Sequence, residues 1–289
     1  MTSMGGGLFY QAGGCRMPLF TVDERCIQCG LCSELCVARI IKMNDGEGPE
    51  VLPEDEEKCI TCGQCVSFCP TSACFLDIQP LEDRIEVLPE LMPSAEIAET
   101  FLRSRRSVRR YKSESVDESL VHRIIETCRY APTASNSQLV RWVVTSDREQ
   151  TKKLGGMVVD TFRGMLSIDI EEKVAHMLGA VVRAWDAGHD VIFRTAPHLA
   201  VAVFDRKHTF QEDAAIALTY FELAAHANEI GCCWAGFFTT AARQSSEIQK
   251  FLGVGENEMI VGGQMFGYPS GLGLSHILPP RKKASLTWI

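Results

Sequence analysis

Eight cysteines near the start of the chain have the spacing of metal ligands. They form two runs with the same C-x2-C-x2-C-x3-C pattern, which are Cys26, Cys29, Cys32 and Cys36, then Cys59, Cys62, Cys65 and Cys69. Thiolates at these short intervals can surround one soft metal centre from a single loop, and this spacing is used to hold four-iron clusters. A structural zinc site needs two separated cysteine pairs, so three cysteines within seven residues argue against zinc. The two runs therefore predict two 4Fe-4S clusters.

The two runs are expected to exchange their fourth ligands. In two-cluster arrangements the fourth cysteine of each run binds the other cluster. One predicted ligand set is Cys26, Cys29, Cys32 and Cys69, and the other is Cys59, Cys62, Cys65 and Cys36. The first run has Val37 where the second has Pro70, which alters the local turn without removing a ligand. We expect an internal pseudo-twofold to relate the two halves.

The remaining cysteines indicate a reducing compartment. Five lie outside the runs, namely Cys15, Cys74, Cys128, Cys232 and Cys233, and free thiols of this kind are usually small apolar packing groups. The N-terminal sequence has neither the basic start nor the apolar core of a signal peptide, so a cytoplasmic localisation is predicted. No apolar run approaches the roughly 18 residues that a membrane helix needs, and no membrane association is expected.

The length of the chain, 289 residues, predicts about two domains. Residues 1–16 are predicted to be a flexible, glycine-rich extension, and residues 17–76 the two-cluster domain. Residues 77–94 carry prolines and scattered acids, a composition typical of a linker. Residues 95–289 form the second predicted domain, which is long enough to bury its own core.

The second domain mixes helical and strand patterns. Ser94 is the expected N-cap of a helix, and residues 116–130 predict another amphipathic helix. Strands are expected at residues 139–145, 200–205, 232–238 and 259–266. A long helix is expected over residues 212–230, with Gly231 as its C-cap. No G-x-G-x-x-G fingerprint or P-loop is present, so no nicotinamide site of the doubly wound type is predicted.

The distribution of charge indicates a small anionic ligand. The net charge is −8, yet residues 103–112 carry six basic residues and no acid. Arg105, Arg106 and Arg109 with the hydroxyl of Ser107 suit a terminal phosphate, although a solvated basic face is an equally plain reading of this segment alone. The negative total charge and the lack of a long basic stripe disfavour nucleic acid as a partner.

A polar loop at residues 131–138 suits a flat heterocycle. Its small residues let a ring approach the backbone, and the amides of Asn136 and Gln138 can donate and accept at a ring edge. Near the end of the chain, residues 279–283 supply a second basic patch.

These segments resemble the nitroreductase family of flavoenzymes, which are homodimers with one FMN at each of two subunit-interface sites. The matching motifs are RRSVR at 105–109, APTASNSQ at 131–138, GCCWAGFF at 231–238, GYP at 267–269 and PPRK at 279–282. The N-terminal part resembles a two-cluster bacterial ferredoxin, and the whole is similar to ferredoxin-fused nitroreductases of anaerobic prokaryotes. The resemblance implies an α+β protein: a ferredoxin-like domain, then a three-layer α/β/α domain with a mainly antiparallel sheet.

The resemblance also implies a set of FMN contacts. Arg105, Arg106, Ser107 and Arg109 would hold the phosphate and ribityl chain, and Arg281 or Lys282 would complete the phosphate site. From the partner subunit the flavin would be reached by Pro132, Thr133, Ala134, Asn136 and Gln138. The backbone at Trp234, Ala235 and Gly236 would face the isoalloxazine, and the Ala235 N–H, where many members carry a glutamate, is expected to be free for flavin N5.

The function implied is that of an FMN-dependent oxidoreductase fed through two 4Fe-4S clusters. A low-potential donor such as a ferredoxin, or alternatively NAD(P)H, would supply electrons, and flavin N5 would deliver hydride to a nitroaromatic, a quinone or an activated alkene. No catalytic side chain is assigned, since the flavin carries the chemistry. The alternative is an electron-transfer or redox-sensing flavo-iron-sulfur protein without a dedicated small-molecule substrate.

Overall fold

A computed structural model describes residues 18–44, 46, 48–79, 81–208, 210–271 and 277–289 of the chain. The predicted extension at 1–16, including Cys15, lies outside the described residues, as does Met17 at the predicted start of the cluster domain. The chain divides into two compact units, Met1–Leu91 and Met92–Ile289. This division falls inside the segment 77–94 predicted as a linker, and the exact domain limits stay a prediction.

The first unit contains short strands and helices around the cysteine runs. Its elements are β1 (Phe20–Val22), α1 (Leu31–Leu35), β2 (Ile41–Asn44), β3 (Gly48–Val51), α2 (Gln64–Ser67) and β4 (Cys74–Leu76). Strand β1 pairs with β4 and strand β2 with β3, both antiparallel. The acidic stretch after Val51 forms a 3-10 helix at Pro53–Lys58. Pro53 favours this start, because its fixed φ suits the first position of a helix.

The backbone of this unit repeats itself around the two cysteine runs. Helices α1 and α2 each follow a glycine in the left-handed region, Gly30 at φ 78° and Gly63 at φ 70°. After the fourth cysteine of each run, Arg39 and Ser72 adopt φ values of 54° and 53°. Left-handed backbone turns the chain sharply, and glycine adopts it without steric strain. The repeated turns therefore place the two sets of thiols in corresponding positions.

The second unit is a sheet between helices. Its elements are α3 (Ala95–Ser104), α4 (Glu118–Cys128), β5 (Arg141–Val144), α5 (Arg148–Leu166), α6 (Glu172–Asp186), β6 (His198–Asp205), α7 (Glu212–Ala227), β7 (Gly231–Trp234), α8 (Gly236–Ala242), α9 (Ser246–Phe251) and β8 (Glu258–Gly267). The strand order is β5-β6-β8-β7, and each neighbouring pair is antiparallel.

Strand β6 shows how the layers pack. Leu199 and Val201 face a core shared with α5, α6 and α8, whereas Ala200 packs with α4 and α7 on the opposite face. Both faces of the strand are buried, which is why its sequence is a continuous apolar run rather than an alternating one. The α+β class and the antiparallel three-layer arrangement predicted from the sequence are confirmed.

The predicted N-cap of α3 is present, whereas α4 and α7 are both shorter than predicted. The Ser94 hydroxyl accepts a hydrogen bond from the Ile97 N–H at 3.3 Å, so Ser94 is the N-cap of α3 as predicted. Helix α4 is shorter than the predicted 116–130, because Asp117 caps it through the Ser119 N–H. In the described part of the chain, no helix has both the length and the apolarity needed to cross a membrane.

Two predictions around residues 231–238 are wrong. Helix α7 ends at Ala227, so Gly231 is not its C-cap but the first residue of β7. The predicted strand 232–238 stops at Trp234, and the chain then forms helix α8 from Gly236. Short apolar runs do not distinguish a buried strand from a buried helix, and this run contains both.

Candidate functional site

The predicted cluster cysteines line two separate cavities in the first unit. The Cys69 cavity is lined by Cys26, Cys29, Cys32 and Cys69. The Cys36 cavity is lined by Cys36, Cys59, Cys62 and Cys65. Each cavity therefore combines three cysteines of one run with the fourth of the other, which is the predicted grouping. Among the described residues, no three Cys, His, Asp or Glu side chains are close enough together to hold one metal ion directly. The thiols instead line the walls of the two cavities.

The Cys69 sulfur lies among hydrogen-bond donors. The Ala73 N–H donates to it at 3.2 Å, and the Thr71 hydroxyl is 3.7 Å away. Burial by itself would raise the pKa of the Cys69 thiol, but hydrogen bonds from Thr71, Ala73 and the thiol of Cys74 outweigh burial and lower this pKa to about 7. The site therefore favours a thiolate at Cys69, the form that binds iron.

At the Cys36 cavity, burial outweighs hydrogen bonding at one of the thiols. Burial raises the pKa of the Cys65 thiol to about 11, and the Val66 N–H offsets this only in part. The Thr61 N–H donates to the Cys59 sulfur at 3.4 Å. Metal binding at thiols of high pKa must release protons, so uptake of metal at this cavity is coupled to pH.

The basic segment 105–109 runs beside strand β7. The Val108 N–H donates to the Cys232 carbonyl at 2.9 Å. A methyl group placed on Gly231 would lie 2.6 Å from Cγ2 of Val108, so only glycine permits this approach. The Tyr111 hydroxyl donates to the Val108 carbonyl at 2.6 Å, which fixes the end of the segment. Two motifs far apart in sequence, RRSVR and GCCWAGFF, are thus neighbours in the fold.

The three arginines of this segment are not equivalent. Arg105 donates from Nη1 to Oε1 of Glu222 on α7 at 2.6 Å, with side chains 28% and 17% exposed. Its Nε and Nη2 groups remain as further donors. Arg106 and Arg109 are exposed, and neither has an acidic partner among the described residues. Glu222 was not predicted from the sequence, where it is a single acid within an apolar helix.

The polar loop 131–138 is anchored at the other end of α7. The Ala134 N–H lies 3.2 and 3.1 Å from the two carboxylate oxygens of the buried Asp213. The Thr133 hydroxyl accepts the Gln138 N–H at 3.1 Å, and Asn136 adopts a left-handed φ of 53°. With a rise of 1.5 Å per residue, Asp213 and Glu222 are about 14 Å apart along α7. Within one chain the loop and the basic segment are therefore attached to separate ends of this helix.

The backbone after β7 differs from the expectation. The Ala235 N–H donates to the Gly263 carbonyl at 2.8 Å, so the prediction that it is free for flavin N5 is wrong. The cause is the pairing of β7 with β8, which continues one residue past the strand. Gly236 begins α8, where the first N–H groups have no acceptor within the helix. Trp234 is 43% exposed, and its ring lies over Gly262.

Two further features of the second unit are the basic residues near its end and a cavity beside α5. Arg281 and Lys282 are exposed, and neither pairs with a residue in the described part of the chain. A cavity of about 500 Å³ lies between α5 and the end of α6, beside Arg148, Trp185 and Asp190. Its lining includes none of the predicted FMN contacts.

Fold and sites together define an oxidoreductase class: a unit with two cysteine-lined cavities, followed by an antiparallel α/β/α unit with a basic segment. Residues 102–268 match the model of the nitroreductase family, and residues 25–73 match that of the 4Fe-4S dicluster domain. The first match covers more than half of the chain, and the chain belongs to the nitroreductase family. It joins a 4Fe-4S dicluster domain to a nitroreductase domain, as the sequence predicted.

Known proteins resemble mainly the second unit. A protein of Archaeoglobus fulgidus named "Putative NADH dehydrogenase/NAD(P)H nitroreductase" is 25% identical over 166 residues, which are 57% of this chain and 82% of that protein. A nitroreductase of Bacteroides fragilis with bound FMN has a TM-score of 0.51 at 22% identity, over 66% of this chain and 96% of that one. A nitroreductase of Desulfitobacterium hafniense with bound FMN has a TM-score of 0.52 at 21% identity, over 65% and 96%. These two structures show the fold alone.

The contact between Gly231 and Val108 gives a test of how the basic segment is held. Gly231→Ala is expected to destabilise the protein by about 1–3 kcal/mol, the usual effect of overpacking, which thermal unfolding detects as a lower midpoint. The same change in a Val108→Gly background should be much less destabilising. Gly156→Ala is the control, because its new methyl group would meet only the Trp185 ring at 3.9 Å. An equal loss of stability with and without the Val108 side chain would contradict this packing.

Proposed function

We propose that this protein is an FMN-dependent oxidoreductase that receives electrons through two 4Fe-4S clusters and reduces a small organic acceptor. The observation that carries the proposal is the presence of two cysteine-lined cavities in the same chain as a nitroreductase domain. Iron-sulfur clusters pass single electrons, whereas a flavin accepts one or two, so the pair of centres can convert one kind of transfer into the other.

The cysteines fit the proposed clusters by number and chemistry. The Cys36 cavity presents four soft thiols and the Cys69 cavity presents five, Cys74 being the fifth, so each supplies the four ligands that a 4Fe-4S cluster requires. We assign Cys26, Cys29, Cys32 and Cys69 to one cluster, and Cys36, Cys59, Cys62 and Cys65 to the other. The cysteines in the described part of the chain are all free, which fits the proposed reducing cytoplasm.

The basic segment fits the phosphate of FMN. Arg106 and Arg109 are exposed cations without acidic partners among the described residues, and Ser107 adds a hydroxyl. Arg105, oriented by Glu222, keeps further N–H donors for the same phosphate. FMN is bound in the structures from Bacteroides fragilis and Desulfitobacterium hafniense, which share the fold. When bound, FMN supplies hydride transfer from N5 to the acceptor.

Around the flavin ring, the proposed contacts come from two chains. Trp234 and the Gly236 N–H lie next to the basic segment and would contact the ring from the same subunit. The loop residues Pro132, Thr133, Ala134, Asn136 and Gln138 would reach it from a partner subunit. Arg281 or Lys282 would complete the phosphate site in the dimer.

The proposed donor is a low-potential one-electron carrier such as a ferredoxin, with NAD(P)H as the alternative. The proposed acceptors are nitroaromatics, quinones and activated alkenes, which share a flat, electron-poor group that can stack on a flavin. The protein's part is to bind and orient both partners and to limit access of water.

The route of electrons is tested by anaerobic stopped-flow measurement of flavin bleaching. We expect a reduced ferredoxin to bleach the flavin at least tenfold faster in the intact protein than in a Cys59→Ser variant that lacks one cluster. NADH and NADPH are tested in parallel. Equally fast bleaching by NAD(P)H in both proteins would contradict the proposal that electrons reach the flavin through the clusters. If nitroaromatics, enones and quinones all fail to reoxidise the reduced flavin, the alternative of an electron carrier or redox sensor replaces catalysis.

The phosphate assignment is tested by FMN binding. Arg109→Ala is expected to weaken FMN binding about 10- to 100-fold, because a charge-assisted hydrogen bond contributes about 1.5–3 kcal/mol. Arg109 is a cleaner choice than Arg105, whose removal would also leave Glu222 unpaired. Arg110→Ala is the matched control, since Arg110 is exposed, directly follows the basic segment and is not a proposed contact. Equal FMN affinity of the two variants would contradict the assignment.

The exchange of fourth ligands is tested by comparing spectra of single variants. Cys36→Ser should alter the same electron paramagnetic resonance signal as Cys62→Ser, because both change the cluster of the Cys36 cavity. Cys69→Ser should match Cys29→Ser in the same way. The opposite pairing, in which Cys36→Ser resembles Cys29→Ser, would show that each run binds its own cluster.

A further inference from the structure

We propose that the two clusters differ in reduction potential, and that Thr71 and Cys74 raise the potential of the cluster in the Cys69 cavity. The inference rests on the proposed function in one respect, namely that both cavities hold 4Fe-4S clusters. It also assigns a role to Thr71 and Cys74, which are not among the eight predicted cluster ligands. It also predicts where the first electron resides.

The internal repeat supplies the comparison. Counted from the fourth cysteine of each run, Thr71 corresponds to Ala38, and Cys74 corresponds to Ile41. Thr71 and Cys74 line the Cys69 cavity, whereas Ala38 and Ile41 line the Cys36 cavity. Cys74 begins β4 and Ile41 begins β2, so the two residues occupy the same place in the repeated backbone. One repeat thus has two side-chain hydrogen-bond donors where the other has a methyl group and an aliphatic chain.

Both donors lie at the sulfurs that would bind iron. The Thr71 hydroxyl is 3.7 Å from the Cys69 sulfur, and an iron-bound sulfur has no proton, so the hydroxyl must be the donor. The Cys74 side chain is 3% exposed and lines the cavity together with Cys69 and Cys32, so its thiol is a donor within the site. The side chains of Ala38 and Ile41 contain no polar hydrogen and offer nothing comparable to Cys36.

Hydrogen-bond donors to the sulfurs of a cluster raise its reduction potential. Reduction adds one negative charge to the cluster, and hydrogen bonds to its sulfurs stabilise that charge. The acidic 3-10 helix Pro53–Lys58 directly precedes Cys59, so its carboxylates disfavour added charge at the Cys36 cavity.

The side-chain donors at the Cys69 cavity and the acidic helix before Cys59 agree in sign. The first electron that enters the pair therefore resides on the cluster of the Cys69 cavity, and a second electron reduces the cluster of the Cys36 cavity at a lower potential. Each step adds one electron from the low-potential donor. The cluster of the Cys36 cavity is the stronger reductant of the two, and the doubly reduced pair holds the two electrons that one flavin accepts.

The test is a potentiometric titration of the full chain, monitored by electron paramagnetic resonance. Wild-type protein should show two one-electron steps at different potentials. Thr71→Val and Cys74→Ala should each move the higher step to lower potential and leave the lower step in place. For the double variant we expect about a tenfold lower ratio of reduced to oxidised cluster at a fixed potential, which corresponds to about 59 mV for one electron. Thr71→Ser, which keeps the hydroxyl, should retain the wild-type potential.

The reciprocal variants use the repeat as a control. Ala38→Thr and Ile41→Cys place the same donors in the Cys36 cavity and should raise the lower step instead. A single step for both clusters in the wild type would overturn the proposal. A shift of the lower step in Thr71→Val would do so as well, as would unchanged potentials in the double variant.

Iron analysis separates these outcomes from a failure of the proposed function. Each preparation should contain about eight iron atoms per chain, the content of two 4Fe-4S clusters. Less iron in the wild type would show that the clusters themselves are absent, and would leave both proposals wrong. Full iron content with equal potentials would refute only the roles of Thr71 and Cys74.

Discussion

Two carboxylates on α7 hold the segments on which the candidate flavin site depends. Glu222 pairs with Arg105 of the basic segment, and Asp213 accepts the Ala134 N–H of the polar loop. Each partner is partly or fully removed from water, where an ionic or charge-assisted hydrogen bond is stronger than at the surface. The helix is therefore a rigid spacer that fixes the distance between the two segments. Because Glu222 and Asp213 lie about 14 Å apart along α7, the two segments are attached to separate parts of this helix.

The first unit depends on a different constraint, the left-handed turns that recur around each cysteine run. These turns repeat the backbone, but they do not repeat the side chains that surround the sulfurs. Thr71 and Ala73 lie near the Cys69 sulfur as hydrogen-bond donors, whereas Ala38 and Ile41 line the Cys36 cavity at the positions that correspond to Thr71 and Cys74. A duplicated backbone can thus present two sets of thiols in different surroundings. In the proposed two-cluster protein, this difference would give the transfer of single electrons a direction.

How far the sequence predicts this protein depends on the range of the interactions involved. The cysteine runs are local patterns, and their spacing correctly predicted which thiols share a cavity. Motifs likewise predicted the antiparallel α/β/α unit. The errors lie where a distant strand decides the outcome: Gly231 was assigned to a helix end, yet Val108 requires it in β7, and the Ala235 N–H is taken by Gly263 of β8. Glu222 and Asp213 were missed because no local pattern marks them. Glu222 is 117 residues from its partner Arg105, and Asp213 is 79 residues from its partner Ala134.

The ion pair between Arg105 and Glu222 also bears on how an anion would be bound. Glu222 neutralises one of the three arginines of the basic segment, so that Arg106 and Arg109 contribute two net positive charges. A phosphate monoester carries about −1.5 to −2 charges at neutral pH, so the remaining cations match it closely. Arg105 is already ordered by Glu222 and loses little conformational freedom on binding, whereas the two exposed arginines must be immobilised. In the proposed phosphate site, Arg105 would therefore orient the phosphate, and Arg106 and Arg109 would supply most of the electrostatic attraction.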